Sequence, residues 1–121
     1  MAELLVLIRE QKAVSPAADQ QMYRMLTRIY WNGEALSRIP PWVQAASKQG
    51  AVNRSRSEVV LVNAPGGDYV FCVITKNQAD ESWEASNEGY VLLRKVSALL
   101  WEYFETDTPW APAPGAARFT P

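Results

Sequence analysis

Two continuous apolar runs separated by a reversal constrain this chain more than any other feature. Glu58-Val-Val-Leu-Val-Asn63 is followed by Ala64-Pro-Gly-Gly-Asp68 and then by Tyr69-Val-Phe-Cys-Val-Ile-Thr-Lys76. Each run is too short for a buried helix and rich in β-branched and aromatic residues, as in strands covered on both faces. Pro65-Gly66-Gly67-Asp68 supplies the backbone freedom of a tight turn. The pair predicts an antiparallel hairpin. Upstream, Ala46-Ser-Lys-Gln-Gly-Ala51 reads as a third strand beside the first arm, after the stiff segment Ile39-Pro-Pro-Trp-Val43. Strands are therefore expected near 45–51, 57–64 and 69–76.

Helices flank this sheet. Leu4, Leu5 and Ile8 share one face of a short amphipathic helix that starts almost at Met1, with no residue ahead to cap it. So abrupt a start is expected of a chain cut from something longer. Ser15-Pro16 opens a second helix, with the serine as cap, proline at the first position and Asp19 near the positive end. Met22, Met25, Leu26, Ile29 and Tyr30 recur at helical spacing until Asn32-Gly33. A third helix covers 87–104, with Tyr90, Leu93, Val96, Leu100 and Phe104 as its buried stripe and Leu92, Leu99 and Tyr103 widening it. Gly89 weakens its first turn. The expected fold is α+β: a small antiparallel sheet of about three strands, a long carboxy-terminal helix on one face and two amino-terminal helices at the other. Residues 1–105 form the domain, and 106–121 a Pro/Ala-rich tail that can dock through Trp110 and Phe119.

Composition narrows the chemistry. A net charge of −1 leaves no basic excess to displace counterions, which argues against a nucleic-acid partner. No apolar run reaches the length of a membrane span. No signal peptide is evident, so the chain as it stands is expected in the cytoplasm. The sequence has no histidine and one cysteine. His-based catalysis and zinc sites are excluded, no metal or other cofactor is expected, and Cys72 is read as core filling.

The ordered set of Arg38-Ile-Pro40, Lys48-Gln-Gly50, the link Asn53-Arg-Ser-Arg-Ser-Glu-Val59, the hairpin and the last helix resembles the carboxy-terminal part of class A β-lactamases. These bacterial serine hydrolases share the penicillin-recognising fold. Lys48-Gln49-Gly50 stands where the family carries Lys-Thr/Ser-Gly, and the match covers roughly 1–105. The resemblance implies a five-stranded sheet, a Ser-x-x-Lys nucleophile and a Ser-x-Asn triplet in a complete member. It also implies a substrate-carboxylate role for Lys48, with Gly50 leaving room beside it.

This chain lacks the nucleophile. None of Ser15, Ser37, Ser47, Ser55, Ser57, Ser82, Ser86 or Ser97 has lysine three residues later. Gln49 replaces a hydroxyl with a longer amide. Lys48 also reads as an exposed edge lysine that discourages strand pairing. Arg54 and Arg56 read as solvated link residues, either of which can reach a carboxylate, and Glu58 as the partner of one of them. The substrate-binding candidates are thus Lys48, Gln49, Gly50, Arg54 and Arg56, with a small carboxylate as ligand and no confident catalytic residue.

The favoured reading is a truncated or divided domain, catalytically silent alone. A β-lactam or acyl-ester hydrolase completed by a missing portion and a small non-catalytic binding module are the alternatives. The Tyr69 strand, central in the resembling family, lacks neighbours here. A homodimer through that edge or by exchange of the amino-terminal helices, or a completing polypeptide, is expected to cover it unless the tail folds over it.

Overall fold

The computed structural model describes residues 1–116. Its elements are α1 (Ala2–Arg9), α2 (Pro16–Leu26), a 3-10 turn (Ala35–Arg38), β1 (Ala45–Val52), β2 (Ser55–Val62), β3 (Tyr69–Ile74) and α3 (Glu88–Phe104). The strands form one antiparallel sheet in the order β1-β2-β3. The architecture is α+β, as the patterning predicts.

Strand β2 is central, and Val59 to Val62 are all buried because both faces are covered. Val60 and Val62 pack with Ala35, Ile39, Ala64 and Trp101 of the α3 side, while Val59 and Leu61 meet Leu5 and Ala46 below α1. Helix α1 begins without a side-chain cap and is held by burial of Leu5 and Ile8. The Ser15 hydroxyl accepts from Ala18 N–H at 3.3 Å, as expected of the cap. Asp19 does more than complement the helix dipole: fully buried, it accepts from Ala13 N–H (2.9 Å) and Val14 N–H (3.1 Å) and fixes the α1–α2 connection.

Four local expectations are corrected. Helix α2 ends at Leu26, where Thr27 Oγ1 donates to the Arg24 carbonyl, well before Asn32-Gly33. Tyr30 and Trp31 face solvent, so a longer helix would have no apolar face to bury. The segment before β1 is not fully extended, because Val43 N–H donates to Pro40 O in a turn. Strand β3 is only half covered: Cys72 is exposed, not core filling, and Ile74 is 69% exposed. The eight residues of α1 span only about 12 Å, and of this strand's α1 face only Val70 packs into that core.

The fourth correction concerns α3. Its fully buried positions are Gly89, Leu93, Ser97 and Trp101, whereas Leu92, Leu99 and Tyr103 face outward and Phe104 is half exposed. Small residues let the 3-10 turn approach closely, and Ser97 Oγ donates to Ala35 O at 2.7 Å. Gly89 is required by packing: a Cβ there would lie 2.7 Å from Arg56 Cγ and 2.5 Å from Gln78 Nε2. The described part of the tail docks through Trp110, edge-on to Trp42 with ring centroids 6.2 Å apart. Phe119 lies outside the described residues.

Candidate functional site

Alternation along β1 divides the Lys48-Gln49-Gly50 segment between the two faces of the sheet. Lys48 and Gly50 pair with Val59 and Ser57, on the face that carries Ala46 and Leu61 against α1. Lys48 is exposed, and its ammonium donates to the Gln49 carbonyl. Gln49 turns to the opposite face, where Nε2 donates to Trp31 O at 3.1 Å. The space above Gly50 is occupied: an added Cβ would stand 2.8 Å from Ser57 Oγ, which itself donates to Gly50 O at 3.1 Å.

The two arginines part company. Arg54 sits in the two-residue turn between β1 and β2 and donates from Nε to Gln78 O at 2.9 Å, with Glu81 at 3.7 Å. Arg56 is fully buried, which overturns its reading as a solvated link residue. Nη1 donates to the carbonyls of Val52 and Ser55 (2.9 Å to the latter), and Nη2 to Ser82 O at 2.6 Å. Its guanidinium lies between Trp83 and Tyr90, 4.6 and 4.8 Å from their ring centroids. Arginine suits this niche because a weakly hydrated planar cation can stack on aromatics while serving several carbonyls. The five candidates therefore do not converge: Lys48 and Gly50 share one face, Gln49 and Arg56 the other, and Arg54 occupies the turn.

Glu58 pairs with neither arginine. Fully buried on the α3 face, it accepts from Ser47 Oγ at 2.6 Å and from Ala35 N–H at 2.9 Å. It thereby anchors β1, one residue before Lys48, to the 3-10 turn. The neighbouring Glu34 pairs instead with Arg94 of α3. Period-two reading from Ser55 would have exposed this layer, since Arg56, Glu58, Val60 and Val62 fall on one face.

Burial pushes the Glu58 carboxyl above the usual range, opposed by the hydrogen bonds from Ser47 and Ala35, while Glu34 adds a smaller upward push. Glu34 is raised as well, by burial, against the pull of Arg94. A raised folded-state value means the native state binds more protons than the unfolded chain. Stability should therefore fall as pH rises from the ordinary carboxyl value through the raised ones. Urea midpoints measured between about pH 4.5 and about pH 8 should decline in the native sequence and less steeply in Glu58→Gln. An unchanged slope in the variant would assign the titration to other groups.

Sequence reading also missed an aromatic cleft on the α3 side. A space of about 300 Å3 is lined by Trp31, Glu34, Gln49, Gly50, Trp83 and Tyr90, among others. It adjoins a more open cleft of about 1350 Å3 that extends to Trp42 and Trp110. Trp31 and Trp83 are 62% and 61% exposed at its rim. Among the described residues no group of histidine, cysteine, aspartate and glutamate is arranged to hold a metal ion, and no helix is long and apolar enough to cross a membrane.

A family model described as the β-lactamase enzyme family matches residues 1–104. No curated protein matches. Among solved structures, PBP-A is similar at 22% identity and a TM-score of 0.74, covering 87% of this chain and 38% of that one. A mutant of PBP-A has been seen as an acyl-enzyme complex with penicillin G. A β-lactamase from Sphaerobacter thermophilus is similar at 19% identity and TM-score 0.74, over 87% and 39% of the two chains. A W229D mutant of a class A β-lactamase of the last common ancestor of Gram-negative bacteria gives 20% and 0.71, over 89% and 40%. The chain thus spans about two-fifths of the length of these neighbours.

Proposed function

Because this chain belongs to the β-lactamase enzyme family, we propose that it forms the strand-and-helix wall of a penicillin-recognising domain. By itself it is catalytically silent, and it works with further polypeptide or a second copy. The observation that carries this reading is the exposed Lys48 on an edge strand in a chain whose serines all lack lysine three residues later. A cation beside an open strand edge suits a small carboxylate, which the backbone can also engage. Acyl transfer needs, in addition, a positioned nucleophile and donors for the oxyanion. Lys48, Gln49 and Gly50 are the proposed ligand-side residues. Arg54 contributes charge from the turn, while Arg56 supports the wall from within.

A non-catalytic binding module is the second reading, favoured by the aromatic cleft beside Gln49. Both readings give the same first result. Incubation of the 121-residue chain with an acylating β-lactam should leave its intact mass unchanged. Initial rates with a chromogenic cephalosporin should match buffer for the native chain and for Lys48→Ala. A stable adduct on one serine, or turnover abolished by Lys48→Ala, would reject silence and establish an enzyme.

A further inference from the structure

The Lys48-Gln49-Gly50 segment is held from beneath by a buried carboxyl group. Glu58 lies directly across β1–β2 from Gln49. Ser47 and Gln49, on either side of Lys48, turn to the same α3 face as Glu58. Glu58 Oε1 accepts from Ser47 Oγ at 2.6 Å, and Oε2 accepts from Ala35 N–H at 2.9 Å. The Gln49 side-chain amide, which donates to Trp31 O at 3.1 Å, also bears on this carboxyl and steadies its charged form. The Gln49 carbonyl in turn receives the Lys48 ammonium. A shift of Gln49 therefore moves the resting point of the Lys48 charge. The turn side of the link is fixed, because Ser97 Oγ of α3 donates to Ala35 O at 2.7 Å. Glu58 is already 1% exposed, so the arrangement is complete within this chain.

The charges around Glu58 are committed elsewhere. On β2 itself Arg56, two residues back on the same face, is taken up by carbonyls and ring faces, Tyr90 of α3 among them. Glu34, before the 3-10 turn, pairs at 2.5 Å with Arg94 of α3. Arg38, at the end of that turn, lines the open cleft. On this face β1 presents Ser47 and Gln49, and β3 presents Phe71, Val73 and Thr75, none of them charged. Glu58 thus has donors around it and no cation. An ionised carboxylate only accepts, through about four lone-pair sites, so it can serve Ser47, Ala35 and Gln49 at once. Protonation makes one oxygen a donor, which must reverse the Ser47 bond or flip the Gln49 amide away from Trp31 O. The bonds that remain lose the charge that makes such bonds about twice as strong as neutral ones.

We propose that Glu58 is the positioning residue of the Lys48-Gln49-Gly50 segment, and that gain or loss of its proton sets the state of that segment. Ionised, Glu58 binds β1 to the 3-10 turn on both sides of Lys48 and fixes the Gln49 carbonyl on which the ammonium rests. Protonated, it releases Gln49, and the Lys48 charge loses its fixed place. The segment is therefore ordered for an anionic ligand above the transition and loosened below it. Burial of the carboxyl brings the transition nearer to neutrality. That the segment faces a ligand rests on the proposed function, whereas the coupling from Glu58 to Lys48 stands on the contacts themselves.

Nuclear magnetic resonance of the full chain, titrated from about pH 4 to about pH 8 across and above the ordinary carboxyl value, tests this with no ligand present. The Glu58 carboxyl carbon, the Ala35 amide proton, the Gln49 side-chain amide and the Lys48 side chain should move through one common midpoint. The Ala35 proton should move downfield as the carboxylate forms. Glu58→Gln keeps a donor for Ser47 and an acceptor for Ala35, so its circular dichroism should match the native chain while the three responses vanish. A role in stability alone would leave the native-state resonances still in both proteins. Glu34→Gln removes the neighbouring like charge and frees Arg94, which should lower the midpoint and keep the responses. Gln49→Ala should keep the Ala35 response and abolish that of Lys48, a result that decides the matter even if Glu58→Gln does not fold. No Glu58 transition in this range, responses with a different midpoint, responses that persist in Glu58→Gln, or a Lys48 response intact in Gln49→Ala would overturn the proposal. The β-lactam mass experiment reads acylation and not titration. An adduct there would reject silence and leave this coupling untouched, and still resonances here would reject the coupling and leave silence standing.

Discussion

Replacement of Arg56 by alanine is expected to cost about 3–5 kcal/mol of folding stability, more than any exposed charge could contribute. The guanidinium is fully buried and serves the carbonyls of Val52, Ser55 and Ser82. Truncation removes the guanidinium from all three oxygens, leaving Ser82 O with its bond from Asn87 Nδ2 at 3.0 Å, and opens a cavity between Trp83 and Tyr90. It also removes the bond between Ser82 and the β1–β2 hairpin, leaving Arg54 to hold that loop through Gln78 and Glu81, and Gly89 loses the side chain against which α3 begins. Methionine would fill part of the cavity without replacing the lost donors, so an intermediate loss is expected. Urea unfolding followed by tryptophan emission measures both. A loss below about 1 kcal/mol for the alanine variant, the range of a surface charge, would show that water replaces the guanidinium without penalty.

Trp101→Ala should be as severe, at about 3–5 kcal/mol. The indole is 1% exposed and lies in the cluster with Ala35, Ile39, Val60, Val62 and Ala64, where the sheet, the 3-10 turn and α3 meet. Its Nε1–H donates to Thr108 O at 3.1 Å, so it also fastens the start of the tail. Trp101→Phe keeps most of the volume and loses that bond. The difference between the two variants then separates packing from the hydrogen bond. Small domains carry only about 5–15 kcal/mol in total, so the alanine variant should be largely unfolded at modest urea. A midpoint close to that of the native chain would place the centre of the core elsewhere.

The hairpin, the third strand and the long last helix were legible because their signals are local. Apolar runs of strand length, a Pro-Gly-Gly turn and a Ser-Pro helix opening each act within a few residues of themselves. The family resemblance was legible for a related reason, the order of such segments around Lys48-Gln49-Gly50. What the sequence left undecided was the direction in which polar groups face. Arg54 and Arg56 look alike as text, yet one stands in a turn and the other is sealed between two aromatic rings. That difference arises because residues 82, 83 and 90 return from beyond the hairpin to supply Arg56 with a carbonyl and two ring faces. Glu58 likewise looked like the exposed partner of an arginine, and only the approach of Ala35 and Ser47 made its burial tolerable. Apolar residues could mislead in the opposite sense. Cys72 and Ile74 sit in a run that reads as core, but α1 is too short to cover them. Sequence by itself determined which segments become strands and helices, through periodicity and turn chemistry. The tertiary structure decided which side chains are buried, because burial depends on what distant segments bring to each face and where they stop.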